Sequence, residues 1–127
     1  MRYVVLLPGD ESSWESASAD ERTRVYGRHE EFARRLAAEG HDVVGGAELT
    51  HSREAKLVRA DAEGQVVITD GPYAETAEQL TGYYEVESDD LDGLLQIVGL
   101  IAGPDHDRAG MGGVEVRRVV SAEDRAS

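Results

Sequence analysis

The sequence predicts an α+β domain with a mainly antiparallel sheet, in the split β-α-β, ferredoxin-like arrangement. Three observations carry that expectation. Strand-like apolar runs and helical stripes follow one another in the order β, α, β, a hairpin pair, β, α, β. The 127 residues make one domain with a single real core. Two amphipathic helices cover one face of such a sheet and leave its other face to be covered from elsewhere.

Each element has its own signal. Residues 3–7 are a continuous apolar run closed by Pro8-Gly9, and both odd and even positions are apolar, so both faces are expected to be buried. Residues 10–18 are polar and read as irregular, with Trp14 either covering the core edge or lining a pocket mouth. Ser18 and Glu21 fit a capping box, and Gly40 fits the stop of a helix running to about Glu39. Val25, His29, Phe32 and Leu36 share one side of that helix, with Ala33 and Ala37 beside them. Residues 41–49 read as a strand interrupted by Gly45-Gly46, which marks a bulge or a close backbone approach.

Residues 56–59 and 66–68 flank a turn at 61–64 and predict a hairpin. Asp70-Gly71-Pro72 must end it, because Pro72 has no N–H and Gly71, preceding it, is expected to be extended. Residues 81–87 form the next strand. Ser88 or Asp90 caps a second helix whose stripe is Leu91, Leu94, Leu95, Val98 and Ile101. A loop from Pro104 leads to a last strand over 114–120. The domain is expected to cover residues 1–120, with 121–127 as a flexible tail.

Composition excludes several function classes. A net charge of −13 predicts an acidic surface, which argues against nucleic acid and anionic membrane as partners. The absence of cysteine excludes disulfides, thiolate catalysis and thiolate-bound zinc. The apolar segment 91–102 is too short to span a bilayer, and the opening run is too short for a signal peptide, so a cytoplasmic protein is expected. Gly110-Met111-Gly112-Gly113 lacks the strand–loop–helix context of a phosphate loop, and there is no nucleophile elbow, so no cofactor is expected. Asp105-His106-Asp107 are adjacent in a loop, where neighbours rarely converge on one ion, so no metal is expected.

The candidate chemistry lies elsewhere. His29 falls on an apolar stripe, where it is either a hydrogen-bonded core histidine or a general acid/base tuned by a carboxylate. Asp70 is the candidate carboxylate, provided that its strand lies under the first helix. Tyr83 and Tyr84 point to opposite sheet faces, one toward the helices. Tyr73 and Glu75 follow Asp70 in the same connection, and Tyr73 could close over a pocket. His41 and His51 are expected at the surface near strand ends. The open sheet face is large for a monomer, so a homodimer with two sheets face to face is expected.

Asp70-Gly71-Pro72-Tyr73-Ala74-Glu75-Thr76, then Glu78-Gln79-Leu80, Gly82-Tyr83-Tyr84 and Asp89-Asp90-Leu91-Asp92 together resemble the YCII-related proteins. They are most similar to the DGPF-domain branch, whose motif is Asp-Gly-Pro-Phe followed by Ala-Glu-Thr-Lys-Glu. The opening Met1 to Leu7 with Trp14, the His29-x-x-Phe32 helix and Val114 to Arg117 fit as well, so the resemblance covers about residues 1–120. It implies a ferredoxin-like fold that dimerises into an α/β barrel. It also implies a His–Asp pair, here His29 and Asp70, in a superfamily that includes lactone isomerases and dehydrochlorinases. Tyr73 replaces the usual Phe, and Ala77 stands where Lys is common, which removes a positive charge from the loop.

Two functions follow. One is a cofactor-independent isomerase or lyase acting on a small organic molecule, with His29 and Asp70 catalytic and Tyr73, Glu75, Tyr84 and Trp14 as ligand contacts. The other is a non-catalytic module that binds a ligand or a protein and serves in sigma-factor-linked regulation. They part on whether His29 meets Asp70.

Overall fold

The computed structural model describes residues 1–72, 78–103 and 113–127. The elements are β1 (Arg2–Asp10), α1 (Glu11–Glu15), α2 (Ala19–Ala38), β2 (Asp42–Glu48), β3 (Lys56–Ala60), β4 (Val66–Asp70), β5 (Glu78–Glu87), α3 (Leu91–Val98), β6 (Glu115–Arg118) and α4 (Ala122–Ala126). Four strands form one sheet in the order β2-β5-β1-β6, and every neighbouring pair is antiparallel. β5 thus lies between β1 and β2 and splits the β1-α2-β2 unit, the order expected of a ferredoxin-like sheet. β3 and β4 form a separate two-stranded ribbon inserted between β2 and β5.

Alternation along β1 sets the core. Tyr3, Val5 and Leu7 are buried and meet Phe32 and Leu36 of α2, Val86 of β5 and Leu94, Ile97, Val98 and Ile101 from α3 and the turn after it. Val4 and Leu6 point to the opposite face and are half-buried, as is Tyr83, the register partner of Leu6. Among the described residues, helices close one face of β1.

The helix caps match the sequence. Ser18 Oγ accepts the Glu21 N–H at 3.1 Å, and Glu21 Oε1 accepts the Ser18 N–H at 3.4 Å. Gly40 follows the helix at φ +85°, the left-handed conformation that closes a C-terminus. Asp90, not Ser88, caps α3, accepting the Gly93 N–H at 3.0 Å.

Other expectations are corrected. β1 continues through Pro8-Gly9 to Asp10, and a register slip between Leu7 and Pro8 absorbs the missing N–H. Part of the expected irregular stretch is α1, which Asp10 caps by accepting the Ser13 N–H at 3.1 Å. The stripe on α3 is Leu94, Ile97 and Val98, while Leu91 and Leu95 stay exposed. Leucines stand at 91, 94 and 95, so spacing allowed more than one stripe, and the buried one includes Ile97. Gly71 is not extended but sits at φ +93° and donates its N–H to Ala55 O at 2.8 Å. Lacking a Cβ, it escapes the clash that confines other residues before proline.

His41 is also corrected: it is buried, with Nδ1 2.7 Å from Ser88 Oγ, where the first turn after α2 meets the end of β5. The polar partner that Ser88 supplies was not visible from spacing. His51, by contrast, is half-buried and lies 2.7 Å from Glu15 through Nε2.

Residues 122–126, within the expected flexible tail, form helix α4. Ser121 and Asp124 cap it reciprocally, and Arg118 of β6 holds the Asp124 carboxylate at 2.5 Å and 3.1 Å. Arg118 and the cap keep the Asp124 carboxyl well below the usual carboxylate range. A depressed folded-state pKa means that the contribution is present above the unfolded value of about 4 and fades as pH falls toward the folded one. Protection of the amides of residues 122–126, relative to their intrinsic exchange at each pH, is therefore expected to fall progressively below about pH 4. Unchanged protection down to strong acid would show that the ion pair does not hold α4.

Candidate functional site

The two halves of α2 meet the sheet differently. Phe32 and Leu36 in the second half are fully buried. In the first half, Arg22, Tyr26 and His29 recur at helical spacing along one face. Beneath them run β2 and β5, in register Gly46 to Tyr84 and then Glu48 to Gly82. Each large side chain thus lies opposite a glycine. A Cβ at Gly46 would sit 2.7 Å from Tyr83 O and 3.3 Å from the Tyr84 ring, and one at Gly82 would sit 2.9 Å from Ala47 O. The sequence signal of Gly45-Gly46 is therefore met as a register slip with a close approach.

His29 and Tyr26 join α2 to these strands by polar contacts. His29 Nδ1 lies 2.7 Å from the Tyr84 hydroxyl, and the two rings stack at 5.9 Å with 24° between planes. Phe32 supports Tyr84 from behind, with ring centroids 5.1 Å apart. One turn earlier, the Tyr26 hydroxyl donates to Glu48, 2.9 Å and 3.3 Å from its two oxygens. Trp14 of α1 meets Tyr26 edge-on at 5.6 Å and 88°. The Arg22 guanidinium lies 5.2 Å above Trp14 and donates to the Trp14 and Glu15 carbonyls.

The electrostatics follow from these neighbours. Burial raises the Tyr84 hydroxyl above the ordinary phenol range, and the Glu48 charge raises it further. Burial and the hydrogen bond to Glu48 do the same for Tyr26. Both phenols hold their protons at neutral pH. In one tautomer His29 Nδ1–H donates to Tyr84 and leaves the phenolic O–H for a ligand; in the other Tyr84 donates and the ring carries its proton on Nε2. The pair is thus a short proton path between helix and sheet. Among the described residues, no group of three His, Asp or Glu side chains is placed to hold a metal ion.

A family profile for the YCII-related domain matches residues 1–123. The chain belongs to the YCII-related family. It is also 36% identical over 95 residues to uncharacterized protein R00369 of Rhizobium meliloti, which spans 75% of each chain.

Against this YCII-related framework, the candidate residues separate. His29 and Tyr84 are brought together, and Trp14 stands one ring away through Tyr26. Asp70 is placed at the root of the β3–β4 ribbon, exposed, with its carboxylate 2.5 Å from Lys56 Nζ. β4, which Asp70 ends, pairs with β3 in the separate ribbon. The Lys56 ammonium lowers the Asp70 pKa. Tyr73 and Glu75 lie outside the described residues, as does Asp105-His106-Asp107. Sequence reasoning missed Tyr26, Glu48 and Arg22. Tyr26 stands three residues before His29 on the same face, and Glu48 closely follows the glycine pair, so both had a positional signal that composition hid.

Gly46→Ala is expected to cost about 1–3 kcal/mol, because the residue sits at φ +150° and the added methyl would press on the Tyr83 carbonyl. A urea midpoint checks the cost. A stability equal to the native chain would mean that β2 can move off β5 freely.

Proposed function

We propose that the protein binds a small organic molecule where the first half of α2 meets strands β2 and β5, and moves a proton on it without a cofactor, as an isomerase or lyase. The observation that carries this is the 2.7 Å contact between His29 Nδ1 and the Tyr84 hydroxyl. His29 takes or returns the proton, and Tyr84 donates a hydrogen bond to the oxygen on which charge develops. Trp14 and Tyr26 give the ring-lined wall on which an aromatic or lactone-like ligand packs. In this scheme Asp70 anchors the ribbon through Lys56 and does not orient His29, which departs from the His–Asp pairing of the wider family. Tyr73 and Glu75 keep their proposed role as ligand contacts.

Phenols, lactones and their carboxylates are the compounds to screen by thermal shift. A ligand at 100 times its Kd stabilises the folded state by about 2.7 kcal/mol. Hits are then followed in deuterated water. Ligand-dependent exchange of one carbon-bound hydrogen, absent from buffer alone, is the expected result. Binding without exchange would leave the second function, a ligand-binding regulatory module of the kind linked to sigma factors. The placement of Asp70 on Lys56 favours that alternative.

The protein is also proposed to work as a homodimer, in the dimeric α/β-barrel manner and the DGPF branch. Support comes from the half-covered Val4, Leu6 and Tyr83 on the sheet face away from the helices. Sedimentation at micromolar concentration is expected to give twice the chain mass, and monomer mass alone would overturn the proposal.

A further inference from the structure

The β3–β4 ribbon carries apolar side chains that the rest of the chain does not cover. Its register sets Val58 opposite Ile68 and Ala60 opposite Val66 on one face, with Lys56 opposite Asp70 at the root. Val58, Val66 and Ile68 are 61%, 65% and 64% exposed, and Val67 is exposed on the other face. Among the described residues, no third strand pairs with either edge of the ribbon. A two-stranded ribbon is marginal in water by itself and needs its apolar face packed on something.

Continuity and charge point to what covers it. Ala47 and Leu49 alternate with Glu48, which meets Tyr26 on the helix side, so both face away from the helices. Ala47 is in register with Tyr83, and Tyr83 with Leu6. The exposed Leu49 extends this ladder by donating its N–H to Thr81 O at 2.8 Å. An apolar strip therefore runs from Leu6 and Tyr83 through Ala47 and Leu49 into the segment that carries the ribbon. A stable dimer buries about 800 Å² on each partner, more than the half-buried Val4, Leu6 and Tyr83 supply. Strands β3 and β4 hold two cations, Lys56 and Arg59, and one carboxylate, Asp70, on a chain of net charge −13. The ribbon is thus slightly positive, and the acidic surface of a second copy attracts it.

We infer that the ribbon is an arm of the homodimer, with its Val58, Val66 and Ile68 face laid against the open sheet face of a second copy, beside Leu6 and Tyr83 of that copy. The inference rests on the homodimer proposed above. Under two-fold symmetry each copy gives one arm and receives one, so every side chain of the contact is buried twice.

Sedimentation of the full chain and of two charge-matched variants provides the test. Ile68→Glu puts a carboxylate on the proposed contact face, and Val67→Glu puts one on the opposite face of the same strand, in register with Arg59. The native chain and Val67→Glu are expected to form dimers of similar affinity. Ile68→Glu is expected to raise the dimer dissociation constant about 100-fold or more, since each interface then buries two unpaired carboxylates. The chain has no cysteine, so Ile68→Cys can carry a single nitroxide. Its spectrum is expected to be immobilised in the dimer and mobile after dilution to monomer. A dimer that Ile68→Glu leaves as tight, a dimer that both carboxylates weaken alike, or a nitroxide that stays mobile in the dimer would each overturn the inference and leave the homodimer standing. Monomer mass for the native chain at micromolar concentration would overturn both.

Discussion

His29→Ala is expected to slow ligand-dependent proton exchange by about 10²- to 10⁴-fold and to leave the fold intact. The rate effect is large because the imidazole is the base that the proposed chemistry uses, while both phenols are held protonated. The stability effect is small because His29 is half-buried and the core proper lies further along α2, at Phe32 and Leu36. Two companions locate its partner. Tyr84→Phe removes the hydroxyl 2.7 Å from His29 Nδ1 and is expected to lower the rate by about 10²-fold or more, the cost of one oxyanion donor. Asp70→Asn is expected to leave the rate unchanged, since the Asp70 carboxylate is engaged by Lys56. Loss of exchange in Asp70→Asn, with Tyr84→Phe active, would restore the His–Asp pairing and sink the His–Tyr one.

The different fates of these residues show what the sequence could reveal. Periodicity is a local property, so the α2 stripe, both its caps and the strand order were legible. His29 was found because a titratable residue on an apolar stripe stands out against its neighbours. Its contact with Tyr84 was not legible, because a contact between residues 29 and 84 depends on which strand lies beneath the helix. The composition of residues 70–76 favoured Asp70, and β4, which it ends, forms its own ribbon with β3. Tyr84 was visible as one of two tyrosines facing opposite ways. Only the burial pattern, with Val5 and Val86 on the helix side, decides which one faces α2. His41 was misread for a related reason. A buried histidine needs a partner, and Ser88 is 47 residues away in the chain.

Phe32→Ala is expected to destabilise the protein by about 3–5 kcal/mol, the range for emptying a fully buried aromatic site. Phe32 has no exposed surface and packs in the same cluster as Val5, Leu36 and Val86. Its ring also supports Tyr84 at 5.1 Å, which makes it the structural base of the proton path. Phe32→Leu separates these two roles. It keeps most of the apolar volume, so the stability cost is expected to stay below about 1.5 kcal/mol. It leaves Tyr84 with a narrower support, and a displacement of about 1 Å at a reacting group can lower a rate by about 10²-fold. Exchange in Phe32→Leu is therefore expected to lose kcat with little change in KM. If kcat stayed native while stability fell, Tyr84 would be held by its strand and by His29 alone. The helix core and the site above it would then be independent parts of the molecule.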